Sequence, residues 1–336
     1  MSRRRRREAG PRTRIALPTE YREPLDVWTQ YSFHISGQKH IGKTTFASAG
    51  CMALIFQMDK PNIGLRNVLE VYPDGWRSPP AEEQETKRGF IDLLEEIEER
   101  AKEKAAGDAD AFPWDRIVID GMNKLYELVF AKVCKENAVD HPSDDMQTQS
   151  ATWKEIRKRF TSIVERFQGL QISAQCGLVM ISHCQWKDVR KSKGSKETVT
   201  KLRSDLTPQA AGIIDAKVHG QFLYDYDEED RVLHITGSEE FAAGHNVDGH
   251  FRTKDGRRIR HIFMGNDADD STPEKAFQNF LAAFENRQDY RDIDEYRARS
   301  ETTKAKETTP DRKAEAKAEA VTEEPQKRRR RRRRKD

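Results

Sequence analysis

Short apolar runs alternate along the chain with longer segments whose apolar residues recur at helical spacing. Four runs are rich in β-branched or aromatic residues and predict buried strands: Tyr31–Ile35, Ala53–Phe56, Arg116–Asp120 and Gly177–His183. Helices are predicted from an apolar stripe along one side at Phe90–Lys104, Lys124–Lys135 and Ala151–Gln168. This alternation predicts an α/β domain with a mostly parallel sheet flanked by helices, whose carboxyl edge carries the functional site.

The pattern becomes richer in β signals after Ile213. Val218–Tyr226 and Val232–Thr236 predict strands, and Asp255-Gly256 is a favoured hairpin turn, so we expect a C-terminal β-hairpin before a last helix at Pro273–Phe284. Beyond about residue 299 the chain has almost no large apolar residue, which is typical of disorder. We predict a basic flexible arm at 1–25, one domain at 26–290, and a disordered charged tail at 291–336.

A polar loop follows the first predicted strand directly. Residues 37–44 read GQKHIGKT and fit the phosphate-binding pattern G-x-x-x-x-G-K-[ST]. Its glycines let backbone N–H groups face an anion, and the helix starting near Lys43 adds its positive dipole end. Lys43 is expected to reach the β- and γ-phosphates, and the Thr44 hydroxyl to hold Mg²⁺. The residues predicted to contact the nucleotide are Gly37, Gln38, Lys39, His40, Ile41, Gly42, Lys43, Thr44 and Thr45.

Polar residues at the ends of the other strands complete this predicted site. Asp120 follows an apolar triplet and is the expected Walker B acid, holding the metal together with Thr44. Asp59 follows the strand beside the loop and is our first candidate to position the attacking water, with Glu70 second. His183 ends a neighbouring strand, where its side chain could report the nucleotide state. The predicted catalytic residues are therefore Lys43, Asp59, Asp120 and His183.

The choice of ATP over GTP rests on the segment Asn123–Tyr126. It lacks the acid that a guanine-reading N-K-x-D motif requires. The expected cofactors are accordingly ATP and Mg²⁺.

Charge is distributed unevenly along the 336 residues. The net charge of +3 combines +6 in residues 1–14 and +8 in residues 327–336 with −11 in the rest. Hydrophobic residues make up 35% of the chain, which is low for a compact globule, and charged residues also make up 35%, which is high. Both values agree with unfolded ends. The like-charge blocks Arg3–Arg7 and Arg328–Arg334 predict contact with a polyanion such as nucleic acid. They also fit a solubility tail, an import-like signal, or contact with the acidic body.

A second basic stretch follows the strand that ends at His183. Residues 185–206 contain Gly and Ser and are crowded with cations, which fits either a solvated surface loop or a nucleic-acid contact. The predicted DNA-binding residues are Lys187, Arg190, Lys191, Lys193, Lys196, Lys201 and Arg203.

Cysteine and histidine patterns indicate no structural metal. The four cysteines form no C-x-x-C pair, which fits a reduced, cytoplasmic setting, and the histidines of the β-rich part lack ligand spacing. No apolar run reaches membrane-spanning length, so we expect no membrane contact. The acidic run at 225–230 fits a solvated hairpin turn better than a nuclease metal site.

The order of these segments resembles phage-encoded RecA-like AAA ATPases of single-strand annealing and recombination. The resemblance rests on GQKHIGKTT, RIVID, a helix bearing Trp153, LVMISH with a polar segment after it, IIDAKV and a terminal hairpin. It implies a RecA-like core that binds ATP and single-stranded DNA and is often oligomeric. It also implies that Asp120 is the Walker B acid, that His183 takes the place of the polar sensor, and that the segment after it is a mobile DNA-binding loop. Gly121 stands where a hydroxyl residue is usual and Asp59 where a Glu is common; both bear on the hydrolysis rate.

We therefore expect a DNA-stimulated ATPase that binds single-stranded DNA in phage recombination or replication. Its expected partners are single-stranded DNA, replication or recombination proteins and further copies of the chain, in the host cytoplasm. Two alternatives remain: a DNA-packaging or helicase motor, and a nucleotide-responsive adaptor with negligible hydrolysis.

Overall fold

The computed structural model describes residues 27–59, 65, 68–70, 75–79, 88–190, 197–238, 242–247, 249–266, 272–287 and 289–291. The predicted arm at 1–25 lies outside these residues. The predicted tail at 291–336 also lies outside them, apart from its first residue.

Six α-helices and ten β-strands are assigned within the described residues. The helices are α1 Lys43–Ser48, α2 Phe90–Ala105, α3 Met122–Glu136, α4 Gln149–Ala174, α5 Pro208–Asp215 and α6 Pro273–Phe284. The strands are β1 Ser32–Gly37, β2 Ala53–Gln57, β3 Val68–Glu70, β4 Arg116–Asp120, β5 Gly177–Arg190, β6 Thr198–Ser204, β7 Gly220–Asp227, β8 Asp230–His234, β9 Gly244–His245 and β10 His261–Asn266. None of the described helices has the length and apolar character needed to span a bilayer.

One sheet organises the molecule, in the order β10-β8-β7-β1-β5-β4-β2-β3. The strands from β7 to β3 pair parallel, whereas β8 pairs antiparallel with both β7 and β10. The prediction of an α/β fold with a mostly parallel sheet is thereby confirmed. β5 lies between β1 and β4, with Gly37 opposite His183 and Asp120 opposite Ile181. The carboxyl ends of these three strands therefore meet at one edge.

Helices cover both faces of the sheet, and this explains why the central strands are apolar throughout. Alternate residues of β2, such as Leu54 and Phe56, pack with α2, α3, α4 and α5. Their neighbours, such as Ile55, pack with α1 and α6 on the opposite face. All five residues of β2 and of β4 are buried, as expected for strands without a solvent-facing side.

The largest difference from the sequence prediction concerns the polar stretch after His183. β5 continues to Arg190 and pairs antiparallel with β6 from Cys184–Ser204 to Arg190–Thr198. We call these paired segments, Cys184–Arg190 and Thr198–Ser204, the ribbon. The prediction of a loop was therefore wrong over the described part. The β-branched pair Val189 and Val199 and the alternating Thr-Val-Thr start of β6 favour pairing, but the many cations concealed that signal.

Two turns follow in the β-rich part. β7 and β8 pair antiparallel around Glu228, which has a positive φ of 57°. At Asp255-Gly256 the chain makes a tight turn closed by a single bridge between Arg252 and Arg258.

Candidate nucleotide-binding site

The phosphate-binding loop joins β1 to α1 through two special glycine positions. Gly42 caps α1 with φ 98°, in the left-handed region that a Cβ disfavours. A Cβ on Gly37 would lie 2.1 Å from the Tyr224 carbonyl oxygen of β7, so only glycine fits there. These positions let the loop turn sharply and present the start of α1 to the sheet edge.

The Lys43 side chain folds back into this loop. Lys43 is only 5% exposed, and its Nζ donates hydrogen bonds to the carbonyls of Gly37 at 2.9 Å and Gln38 at 2.5 Å. Burial lowers the pKa of its ammonium, and the Asp120 carboxylate opposes that shift. The loop carbonyls therefore stabilise a buried cation at the place where the sequence pattern predicts phosphate binding.

Thr44 and Asp120 are in direct contact. The Thr44 hydroxyl donates a 2.5 Å hydrogen bond to Asp120 Oδ2, and Asp120 is only 8% exposed. Burial raises the pKa of the Asp120 carboxyl, while the Thr44 hydrogen bond and the Lys43 charge oppose the rise. A hydroxyl and a carboxylate side by side are hard oxygen donors of the kind that Mg²⁺ prefers. These two residues fit a magnesium ion beside the loop.

His183 and Asp59 flank Asp120 on its two sides, because β5 and β2 are the neighbours of β4. His183 Nδ1 lies 3.4 Å from Lys43 Nζ, and its Nε2 lies 3.7 Å from Asp59 Oδ2. Burial and the Lys43 charge lower the pKa of His183, so at neutral pH its imidazole is uncharged. The four residues predicted to be catalytic thus lie around one point. β3 ends at Glu70, whose side chain lies outside the description.

Gly121, directly after Asp120, stands where a hydroxyl residue is usual, and the local backbone explains this departure. It caps α3 with φ 100°, and a Cβ there would approach Met58 Cβ at 3.3 Å. The sharp turn from β4 into α3 therefore requires glycine, and a hydroxyl residue would strain it.

Sequence reasoning missed two acids of this site. Asp225 Oδ1 accepts a 2.7 Å hydrogen bond from Gln38 Nε2, tying the loop to β7. Asp205 follows β6, and its N–H donates to the His183 carbonyl at 2.9 Å. Asp205 lies 22 positions beyond His183 in the chain, and only the pairing of β5 with β6 brings the two together.

Lys187, the first of the predicted DNA-binding residues, faces the protein. Its Nζ donates to the carbonyls of Ser204 at 2.8 Å and Leu206 at 2.9 Å. Burial lowers the pKa of its ammonium. Through these hydrogen bonds Lys187, in the first strand of the ribbon, holds the C-terminal end of the second strand.

Two further cations of the ribbon also lie against the protein. Lys201 Nζ donates to the Ser238 carbonyl at 3.1 Å, and the half-buried Arg203 lines a cavity of about 350 Å³ beneath the ribbon. Trp186, by contrast, is 62% exposed. The description does not cover the other predicted DNA-binding side chains, Arg190, Lys191, Lys193 and Lys196.

A smaller cavity of about 170 Å³ adjoins the phosphate loop on its other side. Residues 40–42 and Thr45 form one wall, and Tyr224, Arg231 and Met264 lie across from them. The described residues contain no group of three or more His, Cys, Asp or Glu side chains placed to hold a metal ion.

Comparison with known protein families agrees with this geometry. Residues 29–246 match the family described as AAA domain. This range includes the phosphate loop, Asp59, Asp120, His183 and the ribbon. The comparison with curated proteins gives no match.

Proposed function

The chain belongs to the AAA domain family of P-loop NTPases, and on that premise we propose that it is a DNA-stimulated ATPase that binds single-stranded DNA. The proposal extends to a cytoplasmic role in phage recombination or replication, as the resemblance to RecA-like annealing ATPases implies. The observation that carries the ATPase part of this proposal is the convergence of Lys43, Thr44, Asp120 and His183 at the carboxyl edge of one parallel sheet. Ligands of open α/β sheets bind at this edge.

Nucleotide binding requires Lys43 to exchange its hydrogen-bond partners. Its ammonium leaves the neutral carbonyls of Gly37 and Gln38 and pairs with negatively charged β- and γ-phosphate oxygens. Thr44 and Asp120 would hold Mg²⁺, which would offset the negative charge of the phosphates. The N–H groups at the start of α1 face the same anion.

Hydrolysis further needs a group that orients the attacking water. Asp59 Oδ2 and His183 Nε2 lie 3.7 Å apart, and the other ring nitrogen of His183 lies 3.4 Å from Lys43 Nζ, beside which a γ-phosphate would bind. The neutral imidazole of His183 accepts from Lys43 at Nδ1 and can donate from Nε2 to a water or to Asp59. We assign water positioning to Asp59 and detection of the γ-phosphate to His183.

The 170 Å³ cavity beside the loop suits the nucleobase. It adjoins residues 40–42 and the first turn of α1, and Tyr224, Met264 and Phe46 give it an apolar wall. A flat aromatic base can pack against such a wall, whereas its phosphates need the loop.

Single-stranded DNA is the proposed partner of the ribbon and of the two arginine blocks. The ribbon projects from the strand end that carries His183, so a nucleotide-dependent change there can reach bound DNA. The orientation of Lys187 and Lys201 towards backbone carbonyls favours a second candidate, a nucleotide-responsive adaptor that hydrolyses ATP negligibly and recruits a protein partner. Self-association of the chain is proposed with either function.

The deciding experiment measures ATP turnover by the full chain with and without single-stranded DNA across a salt series. We expect DNA to raise turnover several-fold, less so as salt increases because phosphate contacts are screened, and Lys43→Ala to abolish it. Replacing both arginine blocks by serine separates their contribution from that of the ribbon. Tight Mg·ATP binding with turnover indifferent to DNA would contradict the proposal and favour the adaptor.

A further inference from the structure

The second strand of the ribbon ends beside the phosphate site. β6 ends at Ser204, and the next residue, Asp205, donates its N–H to the carbonyl of His183. The chain therefore leaves the site at His183 and re-enters it at Asp205. A residue that joins the end of the ribbon to the nucleotide edge is well placed to carry a signal between them.

The carboxylate of Asp205 is held beside the cations of the site without being bonded to them. Among the described residues its buried Oδ1 has no hydrogen-bond partner, which is uncommon for a buried oxygen. Its charge nevertheless acts on its surroundings, since it raises the pKa of Lys43 and of His183 against the effect of burial. Asp205 is thus bonded through its N–H to the carbonyl of His183, the residue whose ring nitrogen lies 3.4 Å from Lys43 Nζ.

Asp205 is also fastened firmly to the ribbon. Lys187 binds the carbonyls of Ser204 and Leu206, the residues on either side of it. The Ser204 hydroxyl also contacts the central sheet, at 2.8 Å from that of Ser182, so Lys187 supplies the link to the ribbon. A displacement of Asp205 therefore moves the end of β6 with it.

There is room for such a displacement. The 350 Å³ cavity beneath the ribbon is bordered by Arg203, Ser204 and Leu206. Tightly packed segments resist small shifts, whereas a segment that borders a cavity can move into it without overlap.

We propose that Asp205 is a positioning residue that couples the nucleotide at Lys43 to the ribbon. The inference rests on the nucleotide site proposed above. The γ-phosphate of a nucleoside triphosphate adds negative charge next to Lys43, attracts the ammonium, and repels the Asp205 carboxylate. Because Asp205 is fixed to β6, this repulsion shifts the ribbon. A diphosphate lacks that group, so the shift accompanies the triphosphate alone.

Trp186 supplies a reporter for the test, because it lies in the ribbon and is exposed while the other four tryptophans are half-buried. The contribution of Trp186 to the fluorescence is obtained by subtracting the signal of the Trp186→Phe variant from that of the unmodified chain. We measure quenching of this signal by acrylamide, and binding by calorimetry, with Mg·ADP and with a non-hydrolysable Mg·ATP analogue. The variants are Asp205→Asn, Asp205→Glu and, as a matched control, Asp188→Asn, an exposed carboxylate of the ribbon.

We expect the triphosphate analogue, and not ADP, to change the quenching of Trp186 in the unmodified chain. Asp205→Asn should lose this change and should raise the affinity for the analogue relative to ADP by about threefold or more, because a repulsive charge is removed. Asp205→Glu and Asp188→Asn should keep both properties. Should Asp205→Asn fail to fold, Lys187→Gln takes its place. We expect Lys187→Gln to lose the change in Trp186 quenching and to keep the ratio of affinities for the analogue and ADP. If Lys187→Gln keeps the quenching change, the coupling is contradicted.

The outcomes separate this inference from the proposed function. If the unmodified chain binds neither nucleotide, the nucleotide site and the coupling both fail. If nucleotides bind in a Lys43-dependent way while Asp205→Asn keeps the quenching change and the affinity ratio, the coupling alone is wrong.

Discussion

Replacing Thr44 by valine removes one hydroxyl from the site and nearly preserves the shape of the side chain. That hydroxyl donates the 2.5 Å hydrogen bond to Asp120 Oδ2, and the carboxylate is 8% exposed. A hydrogen bond to a charged group contributes about 1.5–3 kcal/mol, and its loss here leaves a buried charged oxygen without its donor. We therefore expect Thr44→Val to lower the free energy of unfolding of the nucleotide-free protein by about 2 kcal/mol.

The assay is thermal or urea unfolding without nucleotide, with Thr44→Ser as the matched control. For a domain of this size about 2 kcal/mol corresponds to a fall in Tm of about 4–8 °C, and serine should restore most of it because it keeps the hydroxyl. We expect Mg²⁺ to enhance ATP binding by the unmodified protein and not by the valine variant. Equal stability of the valine and serine variants would refute the assignment of this hydrogen bond.

Two further predictions concern buried groups near the site. Burial lowers the pKa of His34 to about 4, against about 6.5 in the unfolded chain. Below pH 6.5 only the unfolded state therefore takes up the proton. The free energy of unfolding then falls by about 3 kcal/mol down to pH 4. Urea unfolding at pH 7.5 and 4.5 should show this loss in the unmodified chain beyond that in His34→Gln; the same pH dependence in both proteins would contradict it. Gly121→Ala should cost about 1–2 kcal/mol because its φ is 100°, whereas the control Gly169→Ala, inside α4 with open space around it, should stabilise the protein by about 0.5–1 kcal/mol. Equal effects of the two alanines in chemical unfolding would show that the turn after Asp120 tolerates a side chain.

The central sheet could be predicted from the sequence because its strands are short, apolar on both faces and bounded by turns. β4 was predicted with the bounds that the structure shows, Arg116–Asp120. The phosphate loop followed from the motif at residues 37–44. The placement of Asp120 and His183 followed from the rule that parallel strands carry their functional residues at their carboxyl ends.

The ribbon and the acids around it could not be predicted, because their positions depend on pairing between distant segments. The cations of residues 185–206 suggested a solvated loop, yet Lys187 and Lys201 bond to backbone carbonyls. The buried contacts of Arg116 could not be predicted either. Arg116 is 1% exposed, and its guanidinium lies 4.1 Å from the Trp28 ring and 4.6 Å from the Phe277 ring. A charged residue at the start of a strand gives no local sign of such a buried contact.

The central claim, that this edge of the sheet binds a nucleoside triphosphate through Lys43, is tested most directly by calorimetric titration of Mg·ATP into the full chain and its Lys43→Ala variant. Lys102→Ala, an exposed lysine on α2, is the matched control. We expect the unmodified chain and Lys102→Ala to bind with the same affinity and Lys43→Ala to bind at least about tenfold more weakly, since a charge-assisted contact to phosphate is lost. Equal affinity of all three proteins, or no binding by the unmodified chain, would contradict the account.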